Sequence, residues 1–325
     1  MNGVLRALVS VLLLAALLAW MDQEAWRSVW RVFEPPVVLA ALALTGLQVA
    51  LATARWRIVA RRLEQRLPLG LALRETYLST LLNQVLPGGV SGDATRAWRL
   101  RHEPGGLHRS SGSVALERAV GQAVLLAACL VALLLQPVLW QRLVAGGLVQ
   151  GVVILACAAG LLASLGWRLR RVLRLRQGLG VLRARVLSRP RALLAMTALS
   201  LALLAAYLAV FVLAARATGT TAPLATLVPL MLVSLLAMSI PLGFGGLGLR
   251  EGAAALAWAA AGLPAAQGVA AALGYGVLAL ACSLPALLVL AWPGPRRHRP
   301  RRADGQAGPD ADQPSSPRSS SNRVS

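Results

Sequence analysis

Apolar or mainly apolar runs occupy residues 4–20, 37–54, 71–86, 113–136, 143–165, 192–215, 222–242, 252–262 and 268–292, separated by short polar stretches. Several reach the roughly 20 residues with which a helix crosses a hydrocarbon core. Their unbroken length excludes a transmembrane β-barrel, whose strands alternate apolar and polar positions. The pattern predicts an all-α polytopic membrane helical bundle. Two runs are interrupted. The segment NQVLPGGVSGDATRAWRLR, residues 83–101, puts a Pro-Gly-Gly break and charges where a span should finish, and SIPLGFGGLGLREG, residues 239–252, breaks the stretch 222–262. Non-helical backbone at membrane depth is tolerated only where protein or a water-filled cavity surrounds it, so each break predicts a site.

Charge sets the topology. Hydrophobic residues make up 57% of the 325, and the net charge of +21 comes from arginine alone, since the chain contains no lysine. This excludes the P-loop nucleotide motif and Schiff-base chemistry. The arginines lie in short loops beside apolar runs, a placement that topology and anionic lipid explain better than nucleic acid. The loop 55–66 carries Arg55, Arg57, Arg61, Arg62 and Arg66 against Glu64, the loop 168–191 carries nine arginines and no acid, and the tail opens with Arg296, Arg297 and Arg299. All three are expected on the cytoplasmic side of the plasma membrane, with both termini. The stretch 96–109 is basic too, so both ends of the first broken segment face the cytoplasm, as in a re-entrant hairpin. The segment 222–262 must begin and end on the opposite face. Each half then has two spans, a broken hairpin and a third span, and three crossings invert the second half relative to the first, a recurrent transporter plan. Residues 1–292 are expected to form the membrane domain, and residues 293–325 a disordered basic tail.

Other chemistry is sparse. Cys129, Cys157 and Cys282 lie in apolar runs without pairing or ligand spacing, and His102, His108 and His298 lack the company of a metal site. Neither a metal nor a cofactor is expected. The first apolar block runs long and has no convincing cleavage site, so it reads as an anchor, with Trp20, Trp26 and Trp30 at an interface.

Four of the twelve acids fall in or at the edge of apolar segments: Glu75, Asp93, Glu117 and Glu251. A charge at the bilayer centre costs about 3 kcal/mol on insertion scales, so it calls for a partner or a cavity. Glu75, Ser79 and Asn83 repeat at four-residue spacing, a polar stripe for a headgroup or ion path, or for hydrogen bonds between helices. In SGSVALERAVGQ, Ser113, Glu117 and Gly121 share one helix face, while Arg118 and Gln122 point about 100 degrees away. Glu117 and Arg118 therefore need different partners, with Asp93 or Glu251 available to Arg118. Gly243, Gly245, Gly246 and Gly248 precede Arg250 and Glu251 at a helix start, where free N–H groups suit a phosphate, unless the glycines serve packing and Glu251 caps the helix.

The pattern N-x-x-L-P-G-x-x-x-G-D-x-x-R at Asn83 to Arg96, the Glu117-Arg118 pair, and P-x-G-x-G-G-x-G-x-R-E at Pro241 to Glu251 together resemble the lysylphosphatidylglycerol synthase transmembrane region, also called flippase-like domain proteins. The resemblance spans nearly the whole chain except the tail. It implies the lipid-handling membrane part of that family, without the soluble aminoacyltransferase domain, and it carries Asn83, Gly92, Asp93, Arg96, Glu117, Arg118, Arg250 and Glu251 as motif positions. With Gln122, Gly245 and Gly246 these form the expected substrate site of a non-enzymatic lipid translocase. Its expected partners are membrane lipids, an anionic phospholipid or a polyprenyl-phosphate-linked headgroup, and an envelope-biosynthesis protein. The alternatives are an intramembrane lipid pyrophosphatase with Ser91 as nucleophile, and a non-transporting partner of an envelope glycosyltransferase.

Overall fold

The computed structural model describes residues 23–65, 67–86, 91–101, 106–137, 141, 190–240 and 246–291. The expected spans 4–20 and 143–165, the breaks at 87–90 and 241–245, nearly all of the basic loop 168–191, and the tail lie outside them.

Among the described residues the protein is helical. A short helix α1 (Gln23–Trp30) and a 3-10 turn (Arg31–Phe33) lead into α2 (Pro35–Arg62), followed by α3 (Leu69–Val85), α4 (Ser91–Arg99), α5 (Gly106–Leu134), α6 (Pro190–Ala217), α7 (Leu224–Met238), α8 (Leu249–Ala260), α9 (Ala265–Ser283) and α10 (Ala286–Ala291). Proline sets several of the starts. Pro35 and Pro36 occupy the first turn of α2, and Pro68, Pro223 and Pro264 immediately precede α3, α7 and α9. The ring fixes φ, and the missing N–H is one that a helix start leaves unpaired in any case.

Four helical stretches are long and apolar enough to cross a membrane: Pro35–Arg62, Arg109–Leu134, Pro190–Ala217 and Ala265–Val289. Leucines such as Leu39, Leu134, Leu194 and Leu288 stand exposed on them, as a lipid-facing surface requires. The nine residues of α4 and twelve of α8 reach only about 13 and 18 Å at 1.5 Å per residue, well short of a core of about 30 Å. Neither crosses alone.

Eight of the ten described helices fall into two sets of four, α2 to α5 and α6 to α9, each reading long, short, short, long. Exchanging the sets maps the packing onto itself: α2 on α3 corresponds to α6 on α7, α5 on α7 to α9 on α3, and α5 on α6 to α9 on α2. The central pair, α2 and α6, is its own equivalent. These two run antiparallel, since Val59 packs with Met196, Arg55 bonds Ser200 and Gln48 bonds the Ala206 carbonyl. Equivalent helices of opposite direction are what inverted repeats require.

One large apolar core joins the second set to the ends of α2 and α5, built around Phe211, Leu230, Met231, Trp258 and Tyr275. Alanines 254, 257, 271 and 272 let α8 and α9 approach closely, and a Cβ on Gly268 would stand 2.7 Å from the Ala254 carbonyl oxygen. A smaller core under the first hairpin holds Trp56, Ala60, Ala97, Leu100 and Val114.

Candidate functional site

The basic cluster at 55–66 is not wholly a loop. Helix α2 continues to Arg62, and Arg55 lies inside it, 5% exposed. Its Nε donates to Glu117 Oε1 at 3.2 Å, its Nη2 bonds the same oxygen, and its Nη1 donates to Ser200 Oγ at 2.9 Å. The other Glu117 oxygen, Oε2, accepts from Arg96 Nη2 at 2.8 Å, and that nitrogen lies 3.4 Å from Asp93 Oδ1. Asp93 Oδ2 is 2.6 Å from Arg118 Nε. The result is a chain of alternating charge, Arg118, Asp93, Arg96, Glu117, Arg55, running through α5, α4 and α2. Arg96 also stacks over the Trp56 ring, 4.2 Å from its centroid.

Helical spacing explains how these groups meet. Ser113, Glu117 and Gly121 do share one face of α5, and it packs on α2: Trp56 Nε1 donates to Ser113 Oγ at 3.2 Å, and a Cβ on Gly121 would lie 2.8 Å from Arg55 Nη1. Arg118 and Gln122 point away from that face into a cavity. Of the two acids available to Arg118, Asp93 is its partner.

The stripe Glu75, Ser79 and Asn83 turns toward α4. Ser79 Oγ donates to Asp93 Oδ1 at 3.0 Å, Gly92 N donates to Asn83 Oδ1 at 2.9 Å, and Glu75 pairs with Arg99 at 3.6 Å. Hydrogen bonding between helices accounts for Ser79, while Asn83 combines such a bond with a place on the cavity wall, beside Thr80 and Gln84. Gly92 is required here, because a Cβ would press into the Ser79 carbonyl.

In the second set, Arg250 is held by its neighbour, with Nε and Nη2 donating to Glu251 Oε1 at 3.0 and 2.5 Å. Glu251 Oε2 accepts from Gly248 N at 2.6 Å, so the carboxylate caps α8 and takes a donor that a phosphate would otherwise use. Gly246 and Gly248 have φ of 81° and 88°, the left-handed region that favours glycine. Gly246 packs on Met238 and does not line the cavity; Gly245 lies outside the described residues.

The cavity, of about 220 Å³, lies at the junction of the two sets. Helices α2, α3, α5, α6, α7, α8 and α9 all contribute to its wall. Of the expected site residues, Asn83, Arg118, Gln122 and Arg250 line it, whereas Gly92, Asp93, Arg96, Glu117 and Glu251 lie behind the wall, the three carboxylates holding the arginines. Arg118 is the open one: 35% of its side chain is exposed, against 6% for Arg55 and 2% for Arg250. Ser91, the candidate nucleophile, does not line the cavity.

The wall includes residues that motif reasoning passed over, namely Arg55, Thr45, Gln48, Ser200, Tyr207 and Tyr275. A signal for three existed. Thr45, Gln48 and Arg55 recur at helical spacing within and just beyond an apolar run, a stripe hidden by the arginines that follow. Gln48 and Gln84 each donate from Nε2 at 3.1 Å to a carbonyl of the opposite set, Ala206 and Ala279 respectively, tying the sets together beside the cavity. Among the described residues no His, Cys, Asp and Glu cluster has the makeup of a metal site.

Fold and site together define a helical membrane protein of two inverted repeats with a charged cavity between them. Residues 4–286 match the family described as Lysylphosphatidylglycerol synthase TM region, and the chain belongs to that family. Comparison with curated proteins gives no match. Membership of this family places the protein in lipid-related processes at a membrane.

Proposed function

We propose that the protein is a non-enzymatic lipid translocase whose cavity receives the anionic headgroup of a phospholipid or a polyprenyl-phosphate-linked lipid, while the tails stay in the bilayer. The reading rests above all on one observation: Arg55, Arg118 and Arg250, drawn from both repeats, line a single cavity at the repeat interface. Buried arginines are costly in a membrane unless paired, and here carboxylates behind the wall hold them when no headgroup is present. Inverted repeats supply the movement, since rocking one against the other exposes a site at their interface to each leaflet in turn. The protein sits in the plasma membrane with both termini cytoplasmic, as the arginine-rich loops direct.

The test is transport of fluorescent phosphatidylglycerol and phosphatidylcholine in proteoliposomes, with external dithionite reporting the leaflet. Movement of the anionic lipid is expected, and Arg118→Ala or Arg250→Ala abolishes it. Transport unchanged in both variants removes the proposed roles, and no transport by the native protein removes the reading.

A further inference from the structure

We infer that the cavity seats a small monovalent inorganic anion, of the class of chloride, whenever no headgroup occupies it, and that translocation is an exchange of the two; this rests on the lipid-translocase reading. The ground is a charge that the chain does not balance by itself. Among the described residues, Arg55, Arg96, Arg118 and Arg250 at or behind the wall meet Asp93, Glu117 and Glu251, four cations against three anions. Glu75 and Arg99 pair with each other and cancel. One positive charge is left over. A lysine could shed it with its proton, but the chain has no lysine, and a guanidinium does not deprotonate in proteins. An uncompensated cation in the membrane interior is costly, so the balance comes from an anion that is not part of the chain.

The excess falls to Arg118. Arg55 directs Nε and Nη2 to Glu117 and Nη1 to Ser200, Arg250 gives Nε and Nη2 to Glu251, and Arg96 bridges two carboxylates behind the wall. Arg118 meets Asp93 through Nε and, among the described residues, its terminal nitrogens form no hydrogen bond. The wall adds neutral donors. Asn83 turns its Oδ1 to Gly92 N, which leaves its amide N–H groups to the cavity, and the hydroxyls of Tyr207 and Tyr275 form no hydrogen bond among the described residues. A guanidinium beside neutral N–H and O–H donors is a set that a halide satisfies, since all of them donate and a halide only accepts. The count also sets the valency, because one negative charge brings the site to neutrality and a second leaves an excess of the opposite sign. Each headgroup that enters displaces the small anion, and each that leaves is replaced by one. One negative charge then moves each way, and the cycle carries no net charge.

Radiolabelled chloride is titrated by equilibrium dialysis against the purified full chain in uncharged detergent, with bulky gluconate holding the ionic strength constant. Saturable binding of one chloride per chain is expected, displaced by bromide but not by sulfate at equal concentration. Arg118→Gln should weaken it about tenfold or more, the worth of a hydrogen bond to a charged group. Arg109→Gln, at an exposed arginine that is not part of the wall, should leave it unchanged. The absence of saturable binding, binding that survives Arg118→Gln, or sulfate competing as well as bromide overturns the inference. A second measurement needs no variant. Native proteoliposomes with chloride on both sides should move fluorescent phosphatidylglycerol about tenfold faster than with gluconate on both sides, with labelled chloride crossing the opposite way. Full-rate transport in gluconate defeats this inference alone; chloride binding with no lipid transport in either medium defeats the translocase reading and leaves the anion site standing.

Discussion

Glu117→Gln removes the one carboxylate that serves two buried guanidiniums while preserving side-chain volume. Arg55 and Arg96 both reach Glu117, each nearly buried, so neither has water to replace it. At a separation of about 3 Å and an effective dielectric near 20, each pair attracts by about 5 kcal/mol before desolvation is counted. Measured losses on breaking one buried pair are about 3 to 5 kcal/mol. The amide retains an acceptor for one arginine, so the expected loss is about 3 to 5 kcal/mol in total rather than twice that. Unfolding in mixed detergent micelles, followed by circular dichroism, gives the free energy. The double variant Arg55→Gln, Glu117→Gln removes one stranded cation together with the carboxylate and should regain about 1 to 3 kcal/mol relative to Glu117→Gln. A loss below about 1 kcal/mol for Glu117→Gln, or a double variant less stable than the single one, would refute the reasoning that the cluster is held by paired charge.

Gly92→Ala sets a Cβ against the Ser79 carbonyl and Asn83 Oδ1; backbone cannot yield as a side chain does, so a loss of about 1 to 3 kcal/mol is expected in the same unfolding assay. Gly276→Ala meets the Arg250 guanidinium, confined against Glu251 and the Tyr275 ring, and should lower anionic-lipid transport more than it lowers thermal stability, as proteoliposome and melting measurements on one preparation will tell. Arg118→Ala, with a third of the side chain exposed, should abolish transport yet leave a monodisperse protein by gel filtration. Arg109→Ala loses only an exposed pair with Glu64 at 3.3 Å, and should change stability by about 0.5 kcal/mol or less in the unfolding assay.

Much of the architecture was legible in the order of residues. Apolar runs of spanning length, arginine counts on either side of them and two Pro and Gly interruptions lead to a helical membrane bundle with inverted halves, because hydrocarbon thickness and the positive-inside bias act on the chain locally. Helical spacing separated the face of Glu117 from that of Arg118 correctly, since 3.6 residues per turn is a local property as well. It left open whether the Glu75, Ser79 and Asn83 stripe lines a path or bonds a neighbouring helix, and whether the glycine-rich helix start serves a phosphate or is capped by Glu251; the structure shows the docking of α4 and the cap.

Arg55 marks the boundary between the two kinds of knowledge. By sequence alone it is the first arginine of a basic run, and its helical spacing from Thr45 and Gln48 is masked by the arginines that follow. Its partners lie 62 and 145 positions away, on α5 and α6. Pairing of that kind depends on which helix faces meet, and helix packing fixes this through shape over the whole bundle. The sequence determined that charge would be buried in this membrane; the tertiary structure decided which arginines share which carboxylates, and that Arg118 is more exposed than Arg55 and Arg250 at the cavity, because burial and partnership belong to the assembled bundle and to no single helix.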